Sequence, residues 1–127
     1  LGLKLGVASS SDRAWVEGHL ADRGLLADFQ CVVTKDDVKN IKPDPELYLL
    51  ATKRLGTSPD RAVAVEDSYH GVTAAKRAGL YCVTVPNSMT NDMPLEQADL
   101  RLEALSDMGL QDLLDTLVSA GPSRTVA

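Results

Sequence analysis

Two adjacent acidic residues, Glu66 and Asp67, directly follow the short apolar run 63–65. A short apolar run that leads into a helical pattern is typical of a buried parallel strand, which would end at these acids. Neighbouring carboxylates repel each other unless a cation, hydrogen bonds or a helix N-terminus offsets their charge. Mg²⁺ suits them, because it is usually held by one or two carboxylates together with waters and a substrate phosphate. The alternative is that the two acids only cap the following helix.

Two further groups have the chemistry to bind a phosphate. Ser9 and Ser10 follow an apolar pattern that starts at Leu3, so they would lie where a strand ends and a helix begins, a favourable place for phosphate oxygens. Lys42 precedes Pro43, which keeps the lysine extended and in a fixed place before a helix. Its ammonium could neutralise a phosphate or pair with a carboxylate. The alternative is an exposed, solvated lysine.

The apolar runs and turn residues predict the order β-α-β-α-β-α-β, followed by an edge strand and a last amphipathic helix. Strands are predicted at 3–8, 30–34, 63–65, 81–85 and 98–102, and helices at about 12–23, 45–55, 71–78 and 110–117. Such alternation specifies a parallel sheet, whose sites lie at the carboxyl ends of the strands. We therefore predict one α/β domain over residues 1–120 and a disordered tail over 121–127.

Composition excludes several classes of function. The chain has 127 residues, a formal net charge of −5, 44% hydrophobic and 4% aromatic residues. The acidic balance and the few aromatic residues argue against a nucleic-acid partner. Without a long apolar run or a charged-then-apolar leader, we expect a cytoplasmic protein with no membrane contact. Cys31 and Cys82 lie in apolar strands and are predicted to be buried free thiols.

The chemistry-bearing groups would meet at one edge of the predicted sheet. Ser9 follows the first strand, the acidic pair follows the third, and Lys42 lies on the loop between the second and third strands. Hydroxyls and a lysine bind phosphate, and two carboxylates hold Mg²⁺. Together they are the groups that phosphoryl transfer requires.

These residues resemble the haloacid dehalogenase superfamily of phosphatases, in its β-phosphoglucomutase and phosphoglycolate phosphatase-like branch. The run Leu-Gly-Val-Ala-Ser-Ser at 5–10 is similar to the family's second motif, which implies that Ser9 and Ser10 bind phosphate. The run Lys-Pro-Asp-Pro that begins at Lys42 resembles the third motif, whose lysine stabilises phosphate and nucleophile. The run Glu-Asp-Ser at 66–68, with the helix after it, resembles the fourth motif. The resemblance therefore implies catalytic roles for Ser9 and Lys42, and makes Glu66 and Asp67 magnesium ligands.

The resemblance also implies a fold and an activity. The fold would be Rossmann-like, a three-layer αβα core with a mainly parallel sheet. The activity would be that of a Mg²⁺-dependent phosphatase or phosphomutase. Its substrate would be a small phosphorylated metabolite of the sugar phosphate or phosphoglycolate type. The oligomeric state stays open.

The family's first motif is absent. In that motif, Asp-x-Asp at the end of a central strand, the first Asp attacks phosphorus and the second is the general acid and base. Asp36 and Asp37 lack the spacing, and we interpret them as a solvated loop pair. The resemblance implies that a nucleophile strand and a substrate-selecting cap lie upstream of Leu1, with that strand between those carrying Ser9 and Glu66. We expect an incomplete core that does not hydrolyse phosphate esters by itself.

Two other functions are open. A non-catalytic remnant, acting as a binding or interaction module, would suit the missing Asp-x-Asp, although the retained site residues argue against it. A phosphoacceptor receiver domain would need an acidic pair after the first strand and an acceptor Asp after the third, and the acids here come too late in the chain.

Three residues near these motifs carry weaker signals. Trp15, on the first helix with Val16 and Leu20, is expected to face the core. His70 follows the acidic pair and is predicted to be a surface histidine. Ser68 could either orient an acid by hydrogen bonding or cap the following helix.

Overall fold

The computed structural model describes residues 2–88 and 95–120, and the elements follow the predicted order. The strands are β1 (Gly6–Ala8), β2 (Cys31–Val33), β3 (Val63–Glu66), β4 (Tyr81–Thr84) and β5 (Leu100–Arg101). The α-helices are α1 (Arg13–Asp22), α2 (Glu46–Arg54), α3 (Tyr69–Ala78) and α4 (Leu110–Ala120). The alternating α/β prediction is confirmed. The predicted disorder of residues 121–127 lies outside the described residues and stays a prediction.

All strand pairs are parallel, but they form two sheets. β1 pairs with β2, with Ala8 opposite Val33, and the second sheet has the order β3-β4-β5, with Glu66 opposite Thr84. Among the described residues no strand pairs with the facing edges of β1 and β3. A groove of about 470 Å³ separates these edges and is lined by residues of both strands. The two parallel sheets are therefore separated by this groove and, in the described part of the chain, are not joined into one sheet.

Helices cover both faces of the sheets. On one face, α2 and α3 pack against β2, β3 and β4, and on the other face α4 packs against β4. The first face buries Leu47, Ala51, Val72 and Ala75 against Cys31, Val33, Ala64 and Cys82, and the second buries Leu117 against Tyr81 and Val83. The predicted three-layer αβα architecture is confirmed. No helix of the described ranges has the length and apolar character needed to cross a bilayer.

Both cysteines are buried free thiols, as predicted. Burial, followed by the negative charge of Glu66, raises the pKa of the Cys82 thiol to about 12. Burial also raises the pKa of Cys31. Both side chains therefore pack as small neutral groups in the core.

Several large apolar residues are exposed, Trp15 and Val65 among them. Trp15 is 56% exposed, so its predicted burial is wrong. Only Val16 is buried on α1, and the indole of Trp15 instead contacts the His19 ring one turn later, with 4.1 Å between the ring centroids. Val65 is 53% exposed although it belongs to the apolar run of β3, because this strand borders the open groove.

The interpretation of Asp36 and Asp37 as a solvated pair is confirmed for Asp36, which is exposed, and wrong for Asp37, whose side chain is only 17% exposed. Asp37 Oδ2 accepts a hydrogen bond from the Thr34 backbone N–H (2.8 Å) and from the Arg13 guanidinium (2.5 Å). Asp36 Oδ2 accepts from the Arg13 backbone N–H (2.9 Å). The two acids therefore close the turn after β2 and attach the start of α1 to it. The Thr34 N–H and the Arg13 guanidinium hold the pKa of Asp37 below its usual range.

The variant Asp37→Asn is expected to lower the free energy of unfolding at pH 7 by roughly 1 to 2 kcal/mol, because it weakens a charge-assisted hydrogen bond. A carboxyl whose pKa is lower in the folded than in the unfolded state (about 3.9 when unfolded) stabilises the fold above the unfolded pKa. That stabilisation is lost as the pH falls through the folded pKa. Urea unfolding at pH 7 and pH 3 should therefore show a difference between the two proteins that shrinks in acid. The exposed Asp22, changed to Asn, is the matched control, and equal effects of both changes would contradict the role of Asp37.

Candidate active site at the carboxyl ends of the strands

A cleft of about 350 Å³ opens where β1 and β3 end. Its lining includes every residue for which the sequence predicts a site role, namely Ser9, Ser10, Lys42, Glu66 and Asp67. These residues come from three distant segments, and they meet because parallel strands bring their carboxyl ends to one edge. The structure thus brings the five residues together, and their individual roles stay predictions.

Lys42 joins the ends of β1 and β3. Its Nζ lies 2.5 Å from Glu66 Oε1 and donates to the Ala8 carbonyl at 2.8 Å. The side chains of Lys42 and Glu66 are only 13% and 7% exposed. Lys42 is therefore not a solvated surface residue, and its ammonium offsets the charge of the buried glutamate. The Lys42–Pro43 peptide bond is cis.

Tyr48 belongs to this site, and the sequence analysis missed it. The Tyr48 hydroxyl donates to Glu66 Oε1, and the Tyr48 ring centroid lies 4.9 Å from Lys42 Nζ. Burial, together with the nearby charge of Glu66, raises the pKa of Tyr48 well above its usual value, so the phenol stays a donor. The one available signal was a tyrosine among the apolar positions of α2, since a buried phenol needs a hydrogen-bond partner.

Gly71 allows α3 to begin directly against the glutamate. A Cβ at Gly71 would lie 1.9 Å from Glu66 Oε2, so any side chain there would displace the carboxylate. Ser68 is the N-cap of α3, because its Oγ accepts from the Gly71 backbone N–H at 3.1 Å. Glu66 is the last residue of β3 and does not cap the helix. Of the two roles considered for Ser68, the structure shows the cap.

Asp67 and His70 lie at the open side of the cleft. Asp67 is exposed, and its Oδ2 accepts from Asn87 Nδ2 at 3.2 Å. His70 is exposed, as predicted, but it also lines the cleft. The acidic pair is therefore divided into one buried carboxylate that is held by protein donors and one carboxylate that faces solvent.

The serine pair contributes to the lining of the cleft. Ser9 Oγ accepts from the Ser11 backbone N–H at 3.1 Å. Ser10 Oγ is buried and has no hydrogen-bond partner within the described part of the chain. A buried hydroxyl without a partner is costly, and an anion in the cleft could supply the missing acceptor.

The carboxylates of the cleft suit a Mg²⁺ ion that also binds a phosphate. Within residues 2–88 and 95–120, no cluster of three or more His, Cys, Asp or Glu side chains could hold a metal ion alone. Glu66 and Asp67 are two carboxylates, which is the number that Mg²⁺ commonly takes from a protein when waters and phosphate oxygens complete its shell. Both protein donors to Glu66 bind Oε1, and Oε2 occupies the space that a Cβ at Gly71 would fill.

Comparisons with known proteins find relatives in sequence and in fold. Residues 1–85 match the family model of the haloacid dehalogenase-like hydrolases. YhcW of Bacillus subtilis (strain 168), provisionally named as a phosphatase, is 56% identical over 119 residues, which are 94% of this chain and 54% of YhcW. A mutant of CbbY from Rhodobacter sphaeroides, solved with xylulose-(1,5)bisphosphate, has a TM-score of 0.81 and 34% identity over 87% of this chain and 51% of CbbY. β-Phosphoglucomutase of Clostridium difficile has a TM-score of 0.77 and 26% identity, over 88% of this chain and 48% of that one. The chain spans about half the length of the curated relatives it matches.

Proposed function

Because the chain belongs to the haloacid dehalogenase-like hydrolases, we propose that it forms the phosphate- and cation-binding part of a Mg²⁺-dependent phosphatase or phosphomutase. The observation that carries this proposal is the buried Lys42–Glu66 pair at the cleft that Ser9, Ser10 and Asp67 also line. The substrate would be a small phosphorylated metabolite, of the sugar phosphate or phosphoglycolate type. The complex of CbbY with xylulose-(1,5)bisphosphate and the likeness to a phosphoglucomutase support this class.

Each residue of the cleft has a separate task in this proposal. The Lys42 ammonium, held by Ala8 and Glu66, offsets negative charge on the phosphoryl oxygens. The hydroxyls of Ser9 and Ser10, which also line the cleft, orient those oxygens. Glu66 and Asp67 would hold Mg²⁺, which supplies further charge neutralisation and helps to align the phosphoryl group.

We further propose that a strand from another part of the full protein fills the groove between β1 and β3. Both facing edges lack strand partners within the described residues, and the groove between them is lined by residues of both strands, Gly6, Ala8 and Ala64 among them. Lys42 lines this groove, and its Nζ bonds both to Ala8 of β1 and to Glu66 of β3. A strand there would end beside the Lys42 ammonium, where the family's attacking aspartate is expected. That the chain covers about half of its relatives supports this arrangement.

Calorimetric titration tests the binding function. The chain is expected to bind Mg²⁺ weakly in the presence of inorganic phosphate, and Asp67→Ala is expected to lower the affinity by roughly tenfold or more, since a carboxylate ligand is lost. Asp67 is suited to this test because it is exposed, so its loss should not unfold the protein. Asp60→Ala removes an exposed acid remote from the cleft and controls for net charge. Clear binding with the same affinity in all three proteins would reject the assignment. Hydrolysis itself is tested with a chain that is extended upstream.

A further inference from the structure

We infer that Tyr48 is a positioning residue, whose hydroxyl keeps the Glu66 carboxylate in place for the cation of the cleft. The inference rests on the proposed cation role of Glu66 and Asp67. It concerns a residue on α2, a helix that supplies no side chain to the cleft lining. Tyr48 therefore acts through Glu66 and not on the substrate.

The hydrogen bonds of Glu66 are divided between its two oxygens. Oε1 accepts from the Tyr48 hydroxyl and from Lys42 Nζ, which approach from different segments. Oε2 lies on the side of α3, against the glycine at position 71. With two donors on Oε1, the carboxylate has a defined orientation and Oε2 is left for another partner.

The two donors to Oε1 are not equivalent. Lys42 carries the charge that a phosphate in the cleft would also attract, so the Lys42 ammonium would be shared when an anion binds. Tyr48 is neutral, 8% exposed and packed in the same core cluster as Ala64 and Val72. Its hydroxyl would therefore remain on Oε1 when the lysine is shared. Outer partners of this kind orient metal-binding carboxylates, and their loss typically costs about 10- to 100-fold in metal affinity.

The test compares Tyr48→Phe with Thr52→Val. Tyr48→Phe removes only the hydroxyl, and it keeps the ring that packs in the core and faces Lys42 Nζ at 4.9 Å. Thr52→Val removes another buried hydroxyl of α2, whose Oγ1 donates to the Tyr48 and Leu49 carbonyls at 3.0 Å and has no recorded contact with Glu66. Mg²⁺ is titrated into each protein with inorganic phosphate present, and urea unfolding is measured alongside.

Both variants are expected to unfold at lower urea concentration than the unaltered chain, but only Tyr48→Phe is expected to weaken Mg²⁺ binding, by about tenfold or more. A Tyr48→Phe protein that binds Mg²⁺ like the unaltered chain, while Asp67→Ala does not, would overturn the inference and leave the proposed function standing. Equal weakening by Thr52→Val would also overturn it, since the effect would then be general destabilisation. If the unaltered chain binds no Mg²⁺, or if Asp67→Ala binds it normally, the proposed cation site and this inference both fail.

Discussion

A protein extended upstream to the length of its relatives, of which this chain covers about half, is expected to hydrolyse an aryl phosphate in Mg²⁺, whereas the 127-residue chain is expected to show no turnover. Phosphoryl transfer through a covalent intermediate needs an activated nucleophile in line with phosphorus. Lys42 and the serine hydroxyls can bind and polarise a phosphate, but charge stabilisation alone leaves most of the barrier in place. The measurement is release of the aryl alcohol by both proteins at equal concentration.

Variants of the extended protein separate the possible outcomes. Asp67→Ala is expected to lower its turnover by roughly 100- to 1000-fold, as expected when one preorganised charge-stabilising group is removed. Asp60→Ala is the matched control and should retain turnover. Hydrolysis by the short chain that disappears in Asp67→Ala would show that a residue present here replaces the missing aspartate. Equal inactivity of the extended protein would favour a non-catalytic binding module.

The second large effect is expected from Lys42→Met, which should lower the free energy of unfolding by about 3 to 5 kcal/mol. Lys42 and Glu66 are both largely buried, and Lys42 Nζ lies 2.5 Å from Glu66 Oε1. Removal of the lysine leaves a charged carboxylate in the interior with the Tyr48 hydroxyl as its remaining recorded side-chain donor. Urea unfolding at pH 7 measures the loss. The exposed Lys53, changed to Met, is the control for the loss of one positive charge from the same region of the chain.

A double variant tests whether this loss comes from the uncompensated charge. Lys42→Met combined with Glu66→Gln should recover most of the stability lost in the single variant, because no buried charge is then left without a partner. A single-variant loss below about 1 kcal/mol would mean that the pair behaves as a solvent-exposed ion pair. A double variant as unstable as Lys42→Met would show that packing of the lysine stem, and not its charge, stabilises this part of the fold.

Local patterns were sufficient to predict the order of elements and the place of the site. The end of a helix is often marked by a local residue type. Gly79, for example, ends α3 in a left-handed conformation with φ 94°, which glycine adopts readily. Parallel strands must carry their carboxyl ends at one edge, so the strand ends at Ser9 and Glu66 had to lie at the same edge as the Lys42 loop once the alternating α/β order was established. This part of the site follows from chain order and strand direction alone.

Only the tertiary structure decided the contacts between segments that no local pattern links. Tyr48 and Glu66 are 18 positions apart, and Arg13 and Asp37 are 24 apart. Each pair is made by helices and strands that meet through packing, so neither bond could be inferred from spacing. The exposure of Trp15 likewise depended on whether another element covers that side of α1. The groove between β1 and β3 could not be predicted from the sequence either, because strand pairing is a non-local property. The sequence of each strand indicates its apolar character, but not which strand pairs with it.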